Sequence, residues 1–263
     1  IYTLSLHDAL PICLIETPGN TIPRVQESNL IREIVEARDP VIVHALAGVG
    51  KTFFATQIAR SLPDGSTCIL YDCFGNGLYR NASKYRHRHK DALVQIANEL
   101  ASKGLCHLLI PTPSADASAY MRAFLHRIGQ AAKLVLLSNP RALLCIVVDA
   151  ADNAQLAAEE SGEKRSFVCD LIREKMPDGV RLVFLCRSHR QGSLDPPTKV
   201  LSHELNPFSR EETAVHLRQR FANARECDID EFHRLSSHNP RVQALALSRN
   251  NTLPDMLRLL GPN

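Results

Sequence analysis

The feature that most constrains the fold is a strand pattern that leads through a glycine turn into a helix pattern. Residues 41–45 are mostly apolar and β-branched, the turn ends in Gly48-Val49-Gly50-Lys51-Thr52, and residues 53–60 have helical spacing. Glycines let the backbone curl so that successive N–H groups face an anion, and the new helix adds partial positive charge at its N-terminus. This order of elements predicts a phosphate-binding loop between a buried strand and a helix.

The loop residues have predicted roles. In the general pattern Gly-x-x-x-x-Gly-Lys-Ser/Thr, the lysine binds the β- and γ-phosphates and the hydroxyl binds Mg²⁺. Ala45 stands in place of the first glycine, and a further glycine lies inside the loop. The predicted nucleotide-binding residues are Ala45, Gly48, Val49, Gly50, Lys51 and Thr52. The alternative is an ordinary strand, turn and helix with a surface lysine.

Two further apolar runs end in polar residues that suit the same site. Residues 143–148 are followed by Asp149, and a carboxylate at the tip of a parallel strand points at the ligand crevice, where it would hold Mg²⁺ opposite Thr52. Asp152 is predicted to orient or deprotonate the attacking water, with a turn or helix-capping residue as the alternative. Arg187 follows the run 181–186 and is predicted to contact the γ-phosphate through its planar fork. A solvated arginine is the alternative there, and Arg190 is a second candidate for the role.

The order of elements predicts the fold class. Strand patterns at 41–45, 67–71, 142–148, 180–186 and 200–205 alternate with helix patterns, and only helix patterns follow residue 207. The helix patterns include residues 23–37, with Ser28 or Asn29 as the expected N-cap, residues 115–137, with an expected interruption at Gly129, and residues 166–176, whereas residues 74–83 are expected to form a loop. We therefore expect an α/β protein, a P-loop NTPase three-layer sandwich with a parallel five-stranded sheet, followed by a small all-helical lid domain. The expected domains are residues 13–206 for the NTPase and 207–263 for the lid, which is predicted to be truncated.

The N-terminal residues and the composition bear on the origin of the sequence and on the cellular location of the protein. Residues 3–12 resemble the translation of a sequencing-adapter oligonucleotide, so residues 1–12 are expected to be an artefact, with a natural leader strand as the alternative. No apolar run approaches the about 20 residues that cross a membrane, so no membrane partner is expected. The eight cysteines are scattered without a C-x-x-C pair, which favours the reducing cytoplasm.

A local basic segment raises the question of a partner. Arg80, Lys84, Arg86, Arg88 and Lys90 lie in residues 73–90, which contain no acidic residue, whereas the whole chain has a net charge of only +3. The segment fits either an acidic partner or nucleic acid, or a solvated loop followed by a helix start.

The motifs together resemble the STAND class of P-loop NTPases, which includes the NACHT and NB-ARC groups. The matching segments are residues 45–52, 148–152 and 184–188, and residues 237–245 are similar to the Gly-x-Pro segment of that class. The resemblance implies that Pro240 packs near the adenine, although His238 replaces the class glycine. It also implies Mg²⁺-dependent ATP binding, with ATP and ADP as ligands and ATP hydrolysis as a switch for homo-oligomerisation.

The resemblance further implies a bacterial origin and a place in a larger signalling or antiviral defence protein. Many members carry a glutamate where this chain has Asn153, so hydrolysis is expected to be slow. The alternatives are an AAA-type ATPase motor that acts on nucleic acid or protein, and a P-loop small-molecule kinase.

Overall fold

The computed structural model describes residues 21–81, 85–249 and 252–261. The expected artefact at residues 1–12 lies outside the described residues, as does Lys84 of the basic segment.

A parallel sheet of five strands forms the centre of the molecule. The strands are β1 (Val41–Ala45), β2 (Thr67–Asp72), β3 (Leu144–Asp149), β4 (Val180–Arg187) and β5 (Leu201–Glu204). Their spatial order is β2-β3-β4-β1-β5 and all neighbours are parallel. Every residue of β3 is buried, because a parallel strand covered on both faces needs a continuous apolar run. The predicted five-stranded parallel sheet is confirmed.

Helices cover both faces of this sheet and create two separate cores. On one face pack α1 (Val25–Glu36) and α2 (Lys51–Ser61), and on the other α3 (His89–Ser102), α4 (Ala117–Ser138), α5 (Ala151–Glu160) and α6 (Phe167–Leu171). The β3 side chains alternate between the two cores, with Cys145 and Val147 on the first face and Ile146 and Val148 on the second. The predicted three-layer sandwich is therefore confirmed.

The last four helices have a hydrophobic core of their own. They are α7 (Arg210–Arg218), α8 (Glu226–Leu235), α9 (Pro240–Arg249) and α10 (Leu253–Leu260). Leu217, Ile229, Phe232 and Met256 are fully buried at its centre. Ser209 starts this unit with a capping box, in which its hydroxyl and the Glu212 carboxylate each bind the other's backbone N–H. The predicted all-helical segment is confirmed, while its role as a lid belongs to the proposals below.

Some element boundaries differ from the predictions. Helix α5 is not among the predicted helices, because its alanine-rich sequence lacks the large apolar residues that reveal helical spacing. Helix α6 is much shorter than the predicted helix at 166–176, since Arg173 and Glu174 donate to carbonyls three residues back and tighten the chain into turns. Helix α4 passes through Gly129 without the expected interruption.

Two further predictions of local structure are wrong. Helix α1 begins after Arg24 rather than at a cap on Ser28 or Asn29, because the Ser28 amide and hydroxyl already bond back to the Arg24 carbonyl within the first turn. Residues expected to form a loop after β2 contain a short 3₁₀ helix, Gly75–Arg80.

Among the described residues, no helix combines the length and the apolar character that crossing a bilayer requires.

Candidate functional site

The loop between β1 and α2 has the backbone shape that phosphate binding requires. Gly48 and Gly50 have φ angles of 82° and 109°, in the left-handed region that favours glycine. Gly50 directly precedes the first residue of α2, so the loop delivers its N–H groups to a helix N-terminus. Ala45 is the last residue of β1 and is not among the described residues with a positive φ, so an alanine is tolerated there.

The Lys51 side chain folds across this loop. Its Nζ donates to the carbonyl oxygens of Ala45 at 2.9 Å and of Leu46 at 3.1 Å. Burial lowers the pKa of Lys51, and the charges of Asp149 and Asp152 oppose that shift. The ammonium group therefore lies between the two ends of the loop and beside the two aspartates that the sequence assigned to the same site.

Thr52 and Asp149 are in direct contact although 97 positions separate them in the chain. The Thr52 hydroxyl donates to Asp149 Oδ2 at 2.6 Å, and the Ala150 amide donates to Asp149 Oδ1 at 2.7 Å. Burial raises the pKa of Asp149 to about 6, with the charge of Asp72 adding to the shift and the Thr52 hydrogen bond opposing it. A hydroxyl and a carboxylate form the oxygen donor set that Mg²⁺ prefers, so these residues fit the metal predicted for this position.

Asp152 lies in the first turn of α5 and is almost completely buried. The alternative that it caps this helix is wrong, because the cap is Ala150, which has a left-handed φ of 53°. Asp152 Oδ1 accepts a long bond of 3.4 Å from the Arg187 amide, and Oδ2 lies 3.6 Å from Arg190 Nη1. The carboxylate is therefore tied to the tip of β4, and Arg190 rather than the Arg187 guanidinium pairs with it.

The tip of β4 brings Arg187 to the loop. Arg187 is the register partner of Ala45, and its charge contributes to lowering the pKa of Lys51. Its side chain is half-buried. The structure thus places Arg187 beside the loop lysine, where its role as a phosphate sensor remains a prediction.

The helical unit also touches the loop. Pro240 is the first residue of α9, and the amide of the next residue, Arg241, donates to the Gly48 carbonyl at 3.2 Å. His238 has a φ of 61°, the left-handed conformation that suits the glycine found here in the STAND class. Its ring stacks on His233 with centroids 3.8 Å apart. The left-handed backbone at His238 thus leads into Pro240, which lies between two residues that contact the loop, Asn239 and Arg241.

Sequence reasoning missed Arg24, which joins α1 to the junction between the sheet and the helical unit. Its guanidinium donates to the carbonyls of Asn206 at 2.5 Å and Pro207 at 3.4 Å. It also forms ion pairs with Glu27 at 3.2 Å and Glu212 at 3.4 Å, with only 3% of the Arg24 side chain exposed. Because the junction lies 182 positions away, no local sequence signal indicates this role.

Gln26 holds the same junction from the first turn of α1. Its side-chain amide donates to the Glu204 carbonyl at 2.6 Å and accepts from the Asn206 amide at 3.0 Å. The segment that leaves β5 is therefore fastened on two sides before the helical unit begins.

A cavity of about 370 Å³ opens beside the start of α2. Its lining combines residues 21–25, 27, 28 and 31 with Phe53, Gln57 and Ser61 of α2. Phe53 directly follows Thr52, so the cavity adjoins the end of the phosphate-binding loop.

All three arginines of the basic segment have partners within the chain. Arg80 forms an ion pair with Glu160 at 2.6 Å, Arg88 with Glu163 at 2.6 Å, and Arg86 donates to the Asp72 carbonyl at 2.7 Å. The first two contacts pack the segment against the end of α5, and the third holds it at the end of β2. The prediction of an acidic or nucleic-acid partner at residues 80–90 therefore gains no support from these three side chains.

The NACHT domain family matches residues 39–224 of this chain. The comparison with curated proteins gave no match. Among solved structures, a STAND signal-transduction ATPase with a tetratricopeptide repeat sensor from Pyrococcus horikoshii is 15% identical, with a TM-score of 0.51 over 94% of this chain and 34% of that chain.

Two other solved structures are similar at lower TM-scores. Orc1 from Aeropyrum pernix, in complex with DNA, is 14% identical with a TM-score of 0.47 over 95% of this chain and 67% of that chain. RuvB from Thermotoga maritima is 15% identical with a TM-score of 0.42 over 91% of this chain and 64% of that chain.

The Pyrococcus match shows a shared fold, and this chain spans about a third of the length of that protein. The family match covers more than half of this chain and includes the loop, Asp149, Asp152 and Arg187. The chain therefore belongs to the NACHT domain family and has the fold of a STAND-class P-loop NTPase.

Proposed function

We propose that this chain binds ATP with Mg²⁺ and is the nucleotide-dependent switch of a larger signalling or defence protein. The observation that carries the proposal is the bond between Thr52 and Asp149, with Lys51 folded over the loop beside them. Lys51 and Thr52 begin α2 and Asp149 ends β3, and these three side chains converge on one site, as binding of phosphate and a divalent cation requires. In this proposal residues 13–206 form the NTPase domain and residues 207–263 the lid.

The chain's own residues would bind and orient the nucleotide. The loop amides and Lys51 would bind the phosphates, and Thr52 and Asp149 would hold Mg²⁺. When bound, the metal supplies neutralisation of the phosphate charge. Arg187, at the tip of β4 beside Lys51, would contact the terminal phosphate through its guanidinium.

Hydrolysis is proposed to be slow. Asp152 Oδ2 would accept the proton of the attacking water, but it lies 3.6 Å from Arg190 Nη1, which holds the carboxylate at the tip of β4. The next residue, Asn153, is buried and carries an amide that cannot take up this proton. A bound nucleotide would therefore persist, which suits a switch better than a motor.

Family membership supports the wider proposal. We propose that the state of the nucleotide changes how the lid sits on the loop and so controls homo-oligomerisation, with ATP favouring the oligomer. The free thiols of the described cysteines suit the proposed cytoplasmic location. The Pyrococcus protein carries a repeat sensor, and we propose that a comparable sensor acts on this module.

Titration calorimetry with Mg²⁺ and ATP tests the core of the proposal. Wild type is expected to bind, and Lys51→Ala is expected to lose binding while its circular dichroism spectrum stays unchanged. Lys133→Ala, a lysine on the exposed side of α4, is the matched control and should bind as wild type does. Equal affinity of Lys51→Ala and wild type would refute the assignment, and rapid turnover stimulated by DNA would favour the AAA-type motor instead.

A further inference from the structure

One amide side chain, that of Asn239, connects the helical unit to the phosphate-binding loop. Its Nδ2 donates to the Ala47 carbonyl at 2.8 Å. Its Oδ1 accepts from the amides of Arg241 at 3.0 Å and Val242 at 3.4 Å. Because one end faces a carbonyl and the other faces two N–H groups, the hydrogen-bond network itself assigns the nitrogen and the oxygen.

These contacts give Asn239 two functions that only an amide of this length combines. The oxygen caps α9 in the usual manner of a residue that precedes a helix, and the nitrogen binds the loop. An aspartate would keep the cap and would suit the positive end of the helix. It would, however, place a carboxylate oxygen against the Ala47 carbonyl, where both groups are acceptors.

The loop side of this contact requires Gly48. A Cβ atom at this position would lie 2.6 Å from Asn239 Oδ1 and 3.2 Å from Arg241 Cβ, and the φ of +82° is unfavourable for any other residue. Gly48 is the glycine that the general loop pattern does not require. Because Gly48 has no side chain, α9 can approach closely enough for the Arg241 amide to donate to the Gly48 carbonyl.

The backbone N–H groups and the backbone carbonyl groups of the loop have different partners. In a phosphate-binding loop the N–H groups turn toward the anion. The helical unit binds the carbonyls of Ala47 and Gly48 instead, so its contact leaves the loop N–H groups free for phosphate. A change in the loop backbone would reorient these carbonyls and thereby change the position of α9 relative to the loop.

We propose that Asn239 is a positioning residue that latches the lid to the outer side of the phosphate-binding loop. The latch couples the loop conformation to the orientation of α9 and slows the release of a bound ligand. The coupling between the loop and α9 is inferred from contacts within the protein alone, whereas the effect on ligand release rests on the proposed nucleotide binding.

Hydrogen exchange on the full chain without nucleotide tests the coupling. Asn239→Asp is expected to speed exchange in the peptide covering residues 46–53, which lies far from position 239 in sequence. Thr252→Ala is the matched control, because Thr252 caps α10 in the same unit through the Asp255 amide. It should speed exchange in residues 252–260 and leave the loop peptide unchanged.

Release of a fluorescent ATP analogue tests the second part. Loss of the hydrogen bond to Ala47 and its replacement by two facing acceptors should raise the release rate of Asn239→Asp about five- to tenfold. Thr252→Ala should release at the wild-type rate. Asn239→Ser, which keeps a capping oxygen but is too short for the Ala47 carbonyl, gives the same test if the aspartate variant does not fold.

The two readouts separate this inference from the proposed function. Faster exchange of the loop peptide in a protein that binds no ATP analogue supports the latch and refutes the nucleotide assignment. Unchanged exchange of the loop peptide in both Asn239 variants overturns the latch, whether or not nucleotide binds.

Discussion

Replacing Arg24 with alanine should be among the most destabilising single changes outside the two sheet cores. The substitution removes the donors to the Asn206 and Pro207 carbonyls and leaves Glu27 and Glu212 without their partner. Glu27 is only 6% exposed, so its carboxylate would be a buried charge without compensation. Breaking a buried pair in this way costs about 3–5 kcal/mol. We expect a loss of this size in the free energy of unfolding, measured by urea denaturation at pH 7.

An exposed arginine provides the control for this experiment. Arg210 also pairs with two carboxylates, Glu226 and Asp230, but its side chain is 40% exposed. Arg210→Ala should therefore cost far less stability than Arg24→Ala. The double variant Arg24→Ala/Glu27→Gln should recover part of the loss, because it removes the stranded charge. Equal costs for the two arginine variants, or no recovery in the double variant, would refute this account.

The pH dependence of the Arg24 variant follows from the same carboxyl group. Burial raises the pKa of Glu27, and Arg24 opposes the shift. Without Arg24 the folded-state pKa of Glu27 rises further above its unfolded value. The loss of folding stability is therefore largest at a pH where the Glu27 carboxylate is charged in both the folded and the unfolded state. It is relieved as pH falls through the folded pKa toward the unfolded value of about 4.5. The stability difference between wild type and Arg24→Ala should shrink between pH 7 and that value.

Two other predictions concern backbone strain and acid stability. Ala150→Gly should raise the free energy of unfolding by about 1 kcal/mol, because Ala150 has a left-handed φ of 53°, and unchanged or lower stability in thermal melts would contradict this. Burial first, and then the charges of His238 and Arg210, lower the pKa of His233. Neutral His233 therefore stabilises the fold above its unfolded pKa of 6.5, and this stability is lost as pH falls through the folded pKa. Thermal melts at pH 7.5 and 5.5 should show a smaller acid loss for His238→Asn than for wild type, and an equal loss would count against coupling of the two rings.

The elements that could be predicted from the sequence are those with a strong local signal. The strands of a covered parallel sheet are continuous apolar runs, which is why β3 and β4 were recognisable. The loop was recognisable because Gly50, Lys51 and Thr52 each meet a backbone or chemical requirement of the general pattern. The convergence of Thr52 and Asp149 followed from the rule that parallel strands end at one edge of the sheet.

The features that escaped prediction depend on contacts between distant parts of the chain. Arg24 and Asn239 act on residues 182 and 192 positions away, and neither lies in a pattern that reveals its partner. For Asn239 a partial signal was present, since an asparagine before a proline is typical of a helix start. Helix α5 was missed because its apolar residues are mostly alanine, whose small side chains pack well but show little periodic contrast.

The position of β4 between β1 and β3 has a consequence for how the domain resists unfolding. On one side Arg187 is the register partner of Ala45, at the entry to the phosphate-binding loop, and on the other its amide contacts Asp152 at the start of α5. The two halves of the site, which meet at the hydrogen bond between Thr52 and Asp149, are therefore also neighbours of the same strand. Neither half can separate from the sheet without exposing β4, so they should open as one cooperative unit, with the β4 amides among the last to exchange with solvent.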